Sequence, residues 1–329
     1  MTEIRFDILG IGNAMVDVVA RVEDTFLSRH TMHKGAMMLI DAAAAESIYA
    51  AMPAGIESSG GSAGNTCAVA AALGARVAYF GKVADDQLGG VFAHDMRAMG
   101  VHFPSMPLNG GVPTARCLIM VTPDGQRTMN TFLGACVTFG PDDVDEDVVA
   151  AASVTYLEGY LFDPPAAQAA FRRAAGAAHK AGRQVALSLS DAFCVDRHRA
   201  AFRDLVSNHV DILFANETEI TSLYEKNSFE EAAEAARGDV ALAALTRSEA
   251  GSVIIRGHET VTIPAEPATV LDTTGAGDAY AAGFLTGWTA GKPLGTCARM
   301  GGIAAAAVIG QYGARPTGDV RALVTRALG

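Results

Sequence analysis

A glycine-rich turn between two acids, placed directly before an apolar run at helical spacing, most restricts how this chain folds. The turn is Asp272-Thr-Thr-Gly-Ala-Gly-Asp278, and the apolar run continues to Leu285. The first N–H groups of a helix have no partner within the helix, and the helix dipole adds positive charge there, so the turn suits a phosphate. Glycine also lets a ligand approach the backbone closely. Asp278 is therefore a candidate for chemistry on that phosphate, and a simple helix cap is the alternative.

Apolar strands and amphipathic helices alternate along most of the sequence. Strands are predicted at residues 6–12, 77–80, 154–157, 184–189, 211–214, 240–245 and 252–256. Helices are predicted at residues 41–52, 67–73, 91–99, 165–181, 303–309 and 320–328. This alternation predicts an α/β fold in which helices cover both faces of a mostly parallel sheet.

A hairpin interrupts the alternation. Residues 114–122 and 127–132 flank Pro123-Asp-Gly125, which is a strong turn signal. We expect these strands to pair with strands between residues 17 and 40, forming a small discontinuous β lid that excludes water from phosphate chemistry. The predicted division is a main domain of residues 1–12, 42–103 and 137–329 and a lid of residues 13–41 and 104–136.

Charge and cysteine usage argue against several classes of protein. The formal net charge is −11 and no Lys/Arg-rich run occurs, so no nucleic-acid partner is expected. The five cysteines are scattered and form no C-x-x-C pair, as expected of reduced thiols in a cytoplasmic protein. The N-terminus lacks a signal-peptide pattern, and no apolar segment reaches the length of a membrane span, so no membrane partner is expected.

Two common nucleotide-binding loops are absent from the sequence. Gly12 follows a strand, but Met15 stands where a dinucleotide-binding loop needs a third small residue, and a strand-like segment follows it. No G-x-x-x-x-G-K-[ST] motif occurs, so a nucleotide would not be held by a P-loop. The turn before Asp278 is the remaining candidate for a phosphate-binding loop.

Phosphoryl transfer to a hydroxyl requires a base, donors for the transferring group, a metal and exclusion of water. Asp278 is the candidate base. The candidate anion hole is formed by the N–H groups of Gly275, Ala276 and Gly277.

A second polar pair is predicted at the head of another helix. Asn216 and Glu219 are three residues apart, so they share one helical face and would organise the Mg²⁺ shell through water. A helix cap without a metal role is the alternative for this pair.

Three segments together resemble one family. Gly60-Gly-Ser-Ala-Gly-Asn65, followed by Gly74 and Gly81, and the turn ending at Asp278 resemble the two signature regions of the PfkB (ribokinase-like) carbohydrate kinases. Asn216-Glu-Thr-Glu219 resembles that family's N-x-x-E motif. The resemblance covers essentially the whole chain. It implies a ribokinase-like three-layer sandwich with a small lid, and ATP-dependent phosphorylation of a sugar hydroxymethyl group with Mg²⁺ and often K⁺.

Several segments are more similar to the adenosine and nucleoside kinase branch than to ribokinase. These are residues 12–17, 186–190 and 212–219, and Arg127 in the hairpin. The resemblance implies phosphorylation of the 5′-hydroxyl of a purine nucleoside, with adenosine as the leading candidate, to give the 5′-monophosphate and ADP.

The same resemblance assigns further site residues. Asp17 would accept hydrogen bonds from the ribose hydroxyls, and Arg127 would lie over the transferring phosphate. The other nucleoside-binding residues would be Asn13, Gly60, Gly61, Ser62 and Asn65 near the ribose, and Met37, Leu39, Leu133 and Tyr160 around the base. The ATP-binding residues would be Thr246, Arg247 and Gly251 at the phosphates and Gly313 at the adenine, with Asp272 and Thr274 at a monovalent cation.

Alternatives to these assignments stay open at the level of sequence. Asp17 would instead pair with an arginine of the lid, Arg127 would be a solvated hairpin residue, and Met37, Leu39 and Tyr160 would be core residues. Met37 also stands where a polar contact to adenine is expected, which leaves inosine, guanosine or a pyrimidine nucleoside open. Ribose and fructose 6-phosphate are rival substrates, and a nucleoside-binding protein without activity is a rival of another class. The oligomeric state is open between a monomer and a homodimer.

Overall fold

The computed structural model describes residues 2–329, which form thirteen strands and twelve α-helices. The strands are β1 (Phe6–Ile11), β2 (Met15–Arg21), β3 (Met37–Leu39), β4 (Ile56–Ser59), β5 (Val77–Phe80), β6 (Ala115–Val121), β7 (Arg127–Phe132), β8 (Ala152–Glu158), β9 (Gln184–Ser188), β10 (Ile212–Asn216), β11 (Leu242–Thr246), β12 (Ser252–Arg256) and β13 (Glu259–Ile263).

The α-helices are α1 (Asp24–Arg29), α2 (Ala42–Ala51), α3 (Ser62–Ala72), α4 (Gln87–Ala98), α5 (Glu146–Ala150), α6 (Pro165–Lys180), α7 (Ala192–His209), α8 (Glu217–Tyr224), α9 (Phe229–Asp239), α10 (Ala276–Thr289), α11 (Leu294–Ile309) and α12 (Val320–Leu328). Short 3₁₀ helices lie at Gly134–Thr138, Pro141–Asp143, Gly159–Phe162 and Ser248–Ala250.

Eight strands form the central sheet in the order β13-β12-β11-β10-β9-β8-β1-β5. The six strands from β11 to β5 are parallel, and β12 and β13 extend the sheet as an antiparallel edge. The parallel strands are short, nearly uniformly buried apolar runs, because helices cover both of their faces. The predicted mostly parallel α/β sheet is confirmed.

Helices on each face of this sheet complete a three-layer sandwich. Helices α3, α10, α11 and α12 contribute to one apolar core, and α5 to α9 contribute to the other. Helix α6 shows why such segments pack: its buried residues follow helical spacing and form one apolar stripe, namely Ala167, Ala170, Phe171, Ala174, Ala175 and Ala178.

A smaller mixed sheet of five strands has the order β3-β7-β6-β2-β4. Strands β6 and β7 are the antiparallel arms of the predicted hairpin, and they pair in parallel with β2 and β3, as the sequence predicted. The sheet also contains β4, which lies within the range 42–103 assigned to the main domain by sequence. The division into domains stays a prediction, and β4 adds a strand to the smaller sheet.

The carboxyl ends of the parallel strands meet at one edge of the central sheet. In folds of this type, ligands bind in the crevice outside that edge. Residues that the sequence singled out, Asn13 after β1 and Asn216 at the end of β10, lie there. Within residues 2–329, every helix is too short or too polar to cross a membrane.

Candidate active site

Asp278 lies in the first turn of α10 and contacts the first turn of α3. Ser62 Oγ donates to Asp278 Oδ1 at 2.6 Å, and Asn65 Nδ2 donates to Asp278 Oδ2 at 3.4 Å. The N-cap of α10 is Gly275, so the simple cap interpretation of Asp278 is wrong. The two glycine-rich segments that resemble signature regions of one family therefore meet at this carboxylate.

The environment of Asp278 suits a general base. Burial raises its pKa from 3.8 to about 6, while the hydrogen bonds from Ser62 and Asn65 and the charge of Arg315 oppose that increase. No ion pair engages its carboxylate among residues 2–329. A carboxylate with a raised pKa is a stronger base than an ordinary aspartate and is still ionised at neutral pH.

The backbone beside Asp278 presents an anion-binding helix end. Gly275 has φ of +78°, and a Cβ there would lie 2.7 Å from Ala314, so this position requires glycine. The N–H of Ala276 donates to Thr273 O at 3.2 Å, while those of Gly275 and Gly277 have no backbone acceptor among the described residues. A Cβ at Gly277 would meet no atom within 4 Å, so the helix end faces open space. Two of the three predicted donors are thus free for an anion.

Asp17 lies on β2 of the smaller sheet, beside Gly60. A Cβ at Gly60 would lie 2.5 Å from the Asp17 carboxyl carbon, so glycine is needed there to make room for the carboxylate. Burial raises the pKa of Asp17 to about 6, against the charges of Arg315 and Arg127. In the described part of the chain Asp17 forms no ion pair, which contradicts the alternative in which it pairs with an arginine of the lid.

Asn13 is held by Glu158, a residue that the sequence prediction missed. Glu158 Oε1 accepts from Asn13 Nδ2 at 2.6 Å and from Asn13 N at 3.3 Å, and its Oε2 accepts from Ala63 N at 2.7 Å. Burial raises the pKa of Glu158 to about 7, opposed by those hydrogen bonds. Gly61 has φ of +82°, and a Cβ there would lie 2.1 Å from Asn13 O. Glu158 therefore aligns Asn13. It also caps the start of α3, because the N-cap residue Gly61 has no side chain that could accept a hydrogen bond.

Arg315 was also missed, and it reaches the same crevice from the loop between α11 and α12. Its Nε donates to Asn65 Oδ1 at 2.9 Å and its Nη1 to Ser59 Oγ at 2.8 Å. Its neighbour in sequence, Gly313, was assigned by resemblance, but a lone arginine two residues further on carried no local signal.

Asp272 is fully occupied by hydrogen bonds from within the protein. Its Oδ1 accepts from Thr274 N at 3.0 Å and from Thr274 Oγ1 at 2.6 Å. Its Oδ2 accepts from Gly313 N at 2.9 Å and pairs with Arg127, whose side chain is only 14% exposed. Arg127 is therefore not a solvated hairpin residue. The predicted monovalent cation does not fit at Asp272 and Thr274 in this arrangement, because a guanidinium group already holds the carboxylate.

Asn216 and Glu219 form a reciprocal capping box at the start of α8. Glu219 N donates to Asn216 Oδ1 at 2.9 Å, and Glu219 accepts from Asn216 N at 3.0 Å and from Asn216 Nδ2 at 2.6 Å. The predicted cap is thus present. Burial, with the charges of Asp191 and Asp278, raises the pKa of Glu219 to about 7. Each carboxylate oxygen retains acceptor capacity, so the pair fits an Mg²⁺ ion held through water.

Direct protein ligation of a metal is not indicated. No group of three or more His, Cys, Asp or Glu residues within 2–329 is arranged to hold an ion. An Mg²⁺ ion at this site would be bound mainly by substrate phosphates and water, as this ion commonly is.

Several apolar side chains of the smaller sheet, and of segments that follow strands of the central sheet, are exposed. Met37 and Leu39 on β3 are 52% and 58% exposed, and Tyr160 after β8 is 41% exposed, so none of them belongs to the core. Phe193, in the first turn of α7, is 75% exposed and was missed because an aromatic residue at a helix start has no specific pattern. Leu133 is half-buried at the end of β7. These side chains offer flat and apolar surface for a ring.

The ATP-phosphate residues predicted from the resemblance lie at the end of β11. Arg247 is bound to Glu217, with Nε donating to Oε2 at 2.9 Å, and its guanidinium stacks over Phe229 at 4.1 Å from the ring centroid. Thr246 ends the strand, and Gly251 adopts φ of +87° in the turn that follows. Arg247 would have to leave Glu217 to contact a phosphate, so its role stays a prediction.

Comparisons with known proteins find similar sequences and similar folds. A sequence model of the pfkB family carbohydrate kinases matches residues 28–319. The chain is 54% identical to a solved adenosine kinase from Sinorhizobium meliloti, with a TM-score of 0.90 over 98% of this chain and 99% of the other. It is 51% identical to a solved probable sugar kinase from Rhizobium etli, with a TM-score of 0.90 and 99% of each chain covered. The adenosine kinase of Saccharomyces cerevisiae is 27% identical, covering 92% of this chain and 94% of its own length.

Proposed function

The chain belongs to the pfkB family of carbohydrate kinases, and we propose that it transfers the γ-phosphoryl group of ATP to the 5′-hydroxyl of a purine nucleoside, with adenosine as the leading substrate. Its relatives are kinases, so the chain is a phosphotransferase that acts on a hydroxyl group. The predicted family, fold and enzyme class are therefore confirmed.

One observation carries the proposal: a carboxylate free of ion pairs lies beside unpaired N–H groups at an open helix end. Asp278 is that carboxylate, and Gly275 and Gly277 supply the N–H groups. A base next to an anion hole is what transfer of a phosphoryl group to a hydroxyl requires. A nucleoside-binding protein without activity would need neither feature.

In the proposed mechanism Asp278 removes the proton from the attacking hydroxyl, and the N–H groups at the start of α10 stabilise the charge on the transferring phosphoryl group. Ser62 and Asn65 orient the carboxylate toward the hydroxyl. Mg²⁺ would neutralise phosphate charge when bound, with Asn216 and Glu219 contacting its water. Arg127 would add positive charge to the phosphoryl group from the smaller sheet, where it now pairs with Asp272.

Asp17 favours a substrate with two neighbouring hydroxyl groups. A carboxylate without an ion-pair partner accepts two charge-assisted hydrogen bonds, and a ribose 2′,3′-diol donates two. Asn13, aligned by Glu158, adds an amide on the same side of the crevice. Because a buried carboxylate costs free energy unless it is hydrogen-bonded, the diol stabilises this residue as well as the complex.

The exposed apolar side chains favour a nucleoside over a plain sugar. Tyr160 and Phe193 present large exposed aromatic surfaces, and Met37 and Leu39 add exposed apolar surface on the smaller sheet. A purine ring stacks on such surfaces, whereas a free sugar needs polar walls. The similarity to the adenosine kinase of Sinorhizobium meliloti supports adenosine among the purine nucleosides.

A sugar kinase is the second candidate, because the solved relative from Rhizobium etli is a probable sugar kinase of similar identity. Ribose also carries the diol that Asp17 would bind. Fructose 6-phosphate needs a further cationic pocket for its phosphate. Arg127 and Lys34, which come from the smaller-sheet region, are both already paired with carboxylates.

A substrate panel with ATP and Mg²⁺ tests the proposal. The panel consists of adenosine, inosine, guanosine, cytidine, ribose and fructose 6-phosphate, with ADP release as the readout and phosphorus NMR to locate the new phosphate. We expect the highest kcat/KM with adenosine and a 5′-monophosphate as the product. A strong rate with ribose and no turnover of any nucleoside would refute the nucleoside assignment.

The variant Tyr160→Ala separates recognition of the base from recognition of the ribose. Loss of the ring is expected to raise the KM for adenosine by about tenfold, because aromatic stacking contributes roughly 1–3 kcal/mol per base. Activity toward ribose, if any, should change little. Equal losses with both substrates would show that Tyr160 supports the fold rather than the base.

A further inference from the structure

Arg315 connects three parts of the molecule through its guanidinium group. It extends from the loop between α11 and α12, donates to Asn65 in the first turn of α3, and donates to Ser59 at the end of β4 in the smaller sheet. The residue is half-buried, and its Nη2 atom is buried and has no hydrogen-bond partner among the described residues. A buried charged donor without a partner costs free energy.

The contact with Asn65 determines which way that amide faces. An asparagine side chain accepts through Oδ1 and donates through Nδ2. Because Arg315 Nε donates to Asn65 Oδ1 at 2.9 Å, the Nδ2 atom is turned toward Asp278 Oδ2, 3.4 Å away. The guanidinium therefore orients, through one intermediate residue, a donor that contacts the proposed base.

The charge of Arg315 acts on two acids at once. Burial lowers the pKa of Arg315, and the neighbouring Asp17, Asp95, Tyr79 and Asp278 oppose this decrease. In return, its charge lowers the pKa values of Asp17 and Asp278, which burial has raised. Other ionisable groups also interact electrostatically with Asp278. The charge of Asp17 raises the pKa of Asp278, and the charge of Asp278 raises the pKa values of Glu158, Glu219, Tyr156 and Tyr160. All of these carry negative or no charge at neutral pH. Arg315 is the cation that acts on Asp278, and it acts on Asp17 together with Arg127.

We propose that Arg315 is a positioning residue for phosphoryl transfer: it holds Asn65 against Asp278, and it supplies positive charge to the site that contains Asp17 and Asp278. The inference rests on the proposed roles of those two acids. It adds a dependence of the reaction on a residue from the C-terminal loop, which acts on the proposed base through Asn65 and through its charge.

Three substitutions separate the charge from the hydrogen bond. Arg315→Met removes both, Arg315→Gln keeps an N–H donor without the charge, and Arg315→Lys keeps the charge without the planar fork. Arg321→Met is the matched control, because Arg321 is an exposed arginine of α12 outside the crevice. For each protein, kcat/KM for the substrate that the wild type prefers is measured between pH 5 and 9, and thermal unfolding checks the fold.

The acid limb is the part of the pH profile in which kcat/KM falls as pH decreases. We expect it to shift only in the variants that lack the positive charge. In Arg315→Met and Arg315→Gln the limb should move to higher pH by about one unit, the effect of losing a nearby opposite charge. In Arg315→Lys the limb should stay in place while kcat falls about tenfold at every pH, because Asn65 loses its fixed orientation. Arg321→Met should match the wild type.

An unmoved acid limb in Arg315→Met and Arg315→Gln, with an equal loss at every pH, would overturn the inference and leave Arg315 a structural residue. If neither folds, Arg315→Lys decides alone, since a shifted limb or an unchanged kcat contradicts the proposal. A wild type that prefers another hydroxyl substrate would refute the nucleoside assignment but not this inference, because the same profile is recorded with that substrate.

Discussion

Arg127 of the smaller sheet and Asp272 of the loop before α10 form an ion pair across the crevice. Both side chains are largely buried, at 14% and 8% exposure, and Asp272 has three further donors from Thr274 and Gly313. Burial would raise the pKa of Asp272, but these hydrogen bonds and the charge of Arg127 lower it overall. The pair therefore fastens the hairpin beside the turn at which phosphate is proposed to bind.

Replacement of Arg127 by glutamine is expected to lower kcat by about 10²–10³-fold, the effect of removing one donor to a charged transition state. ADP release at saturating ATP and adenosine measures it. The control is Arg76→Gln, which breaks an exposed ion pair with Asp7 and should leave kcat unchanged. An unchanged kcat in Arg127→Gln would mean that the arginine only fastens the hairpin.

Substitution Asp278→Asn removes the proposed base while keeping its shape. We expect kcat to fall by about 10²–10⁴-fold, the usual contribution of general-base catalysis, with nucleoside binding by titration calorimetry nearly intact. Asp147→Asn is the control, because Asp147 is an exposed acid in the first turn of α5. Activity of Asp278→Asn close to that of the wild type would refute the assigned mechanism.

The two glycine-rich segments around residues 60 and 275 could be recognised in the sequence as two signature regions of one family. Ser62 and Asp278 are 216 positions apart and meet at 2.6 Å. The segments could be recognised because each is a local pattern of glycines and polar residues in a fixed order, whereas their contact arises only in the fold. The capping box of Asn216 and Glu219 was predictable for the same reason.

Glu158 and Arg315 could not be predicted, because each is a single charged residue whose role arises from tertiary contacts. Nothing next to Glu158 in sequence indicates that it accepts from Asn13 and Ala63. Strands β4 and β13 were missed for a related reason. Both are short, polar edge strands, and such strands lack the apolar run that marks a buried one.

The activity is expected to decrease in acid, because two carboxylates must be ionised. Burial raises the pKa values of Asp17 and Asp278 to about 6, so kcat/KM should fall as pH drops through that value. Since protonation of either acid lowers kcat/KM, the limb should be steeper than a single titration. In Asp17→Asn the remaining limb should have unit slope. A wild-type profile flat to pH 5 would contradict this prediction.

Burial of the ionised Asp278 carboxylate lowers the free energy of unfolding at neutral pH. Its folded pKa of about 6 lies above the ordinary value of 3.8, so any stabilisation from the protonated form is complete below pH 3.8 and lost as pH rises through 6. Asp278→Asn is therefore expected to be more stable than the wild type at pH 7.5, on the order of 1 kcal/mol in urea unfolding, and the gain should shrink toward pH 4. A gain that is independent of pH would exclude this origin.

A substitution at Gly277 can separate an effect on phosphate binding from an effect on folding. A Cβ there meets no protein atom within 4 Å, yet its N–H belongs to the proposed anion hole. Gly277→Ala should therefore fold normally, and in the first turn of a helix alanine should stabilise by up to about 1 kcal/mol. The added methyl group would project into the space proposed for the phosphates, so the KM for ATP should rise and kcat should fall, together by tenfold or more.

Gly90→Ala is the matched control for this variant, since Gly90 lies in α4 and its added Cβ likewise meets nothing within 4 Å. It should gain similar stability and keep full activity, because no ligand is proposed there. Thermal unfolding and ADP release, measured on both variants, give the comparison. Full activity in Gly277→Ala would show that the open space beside α10 is not where the phosphates bind, and the anion hole would have to be sought elsewhere.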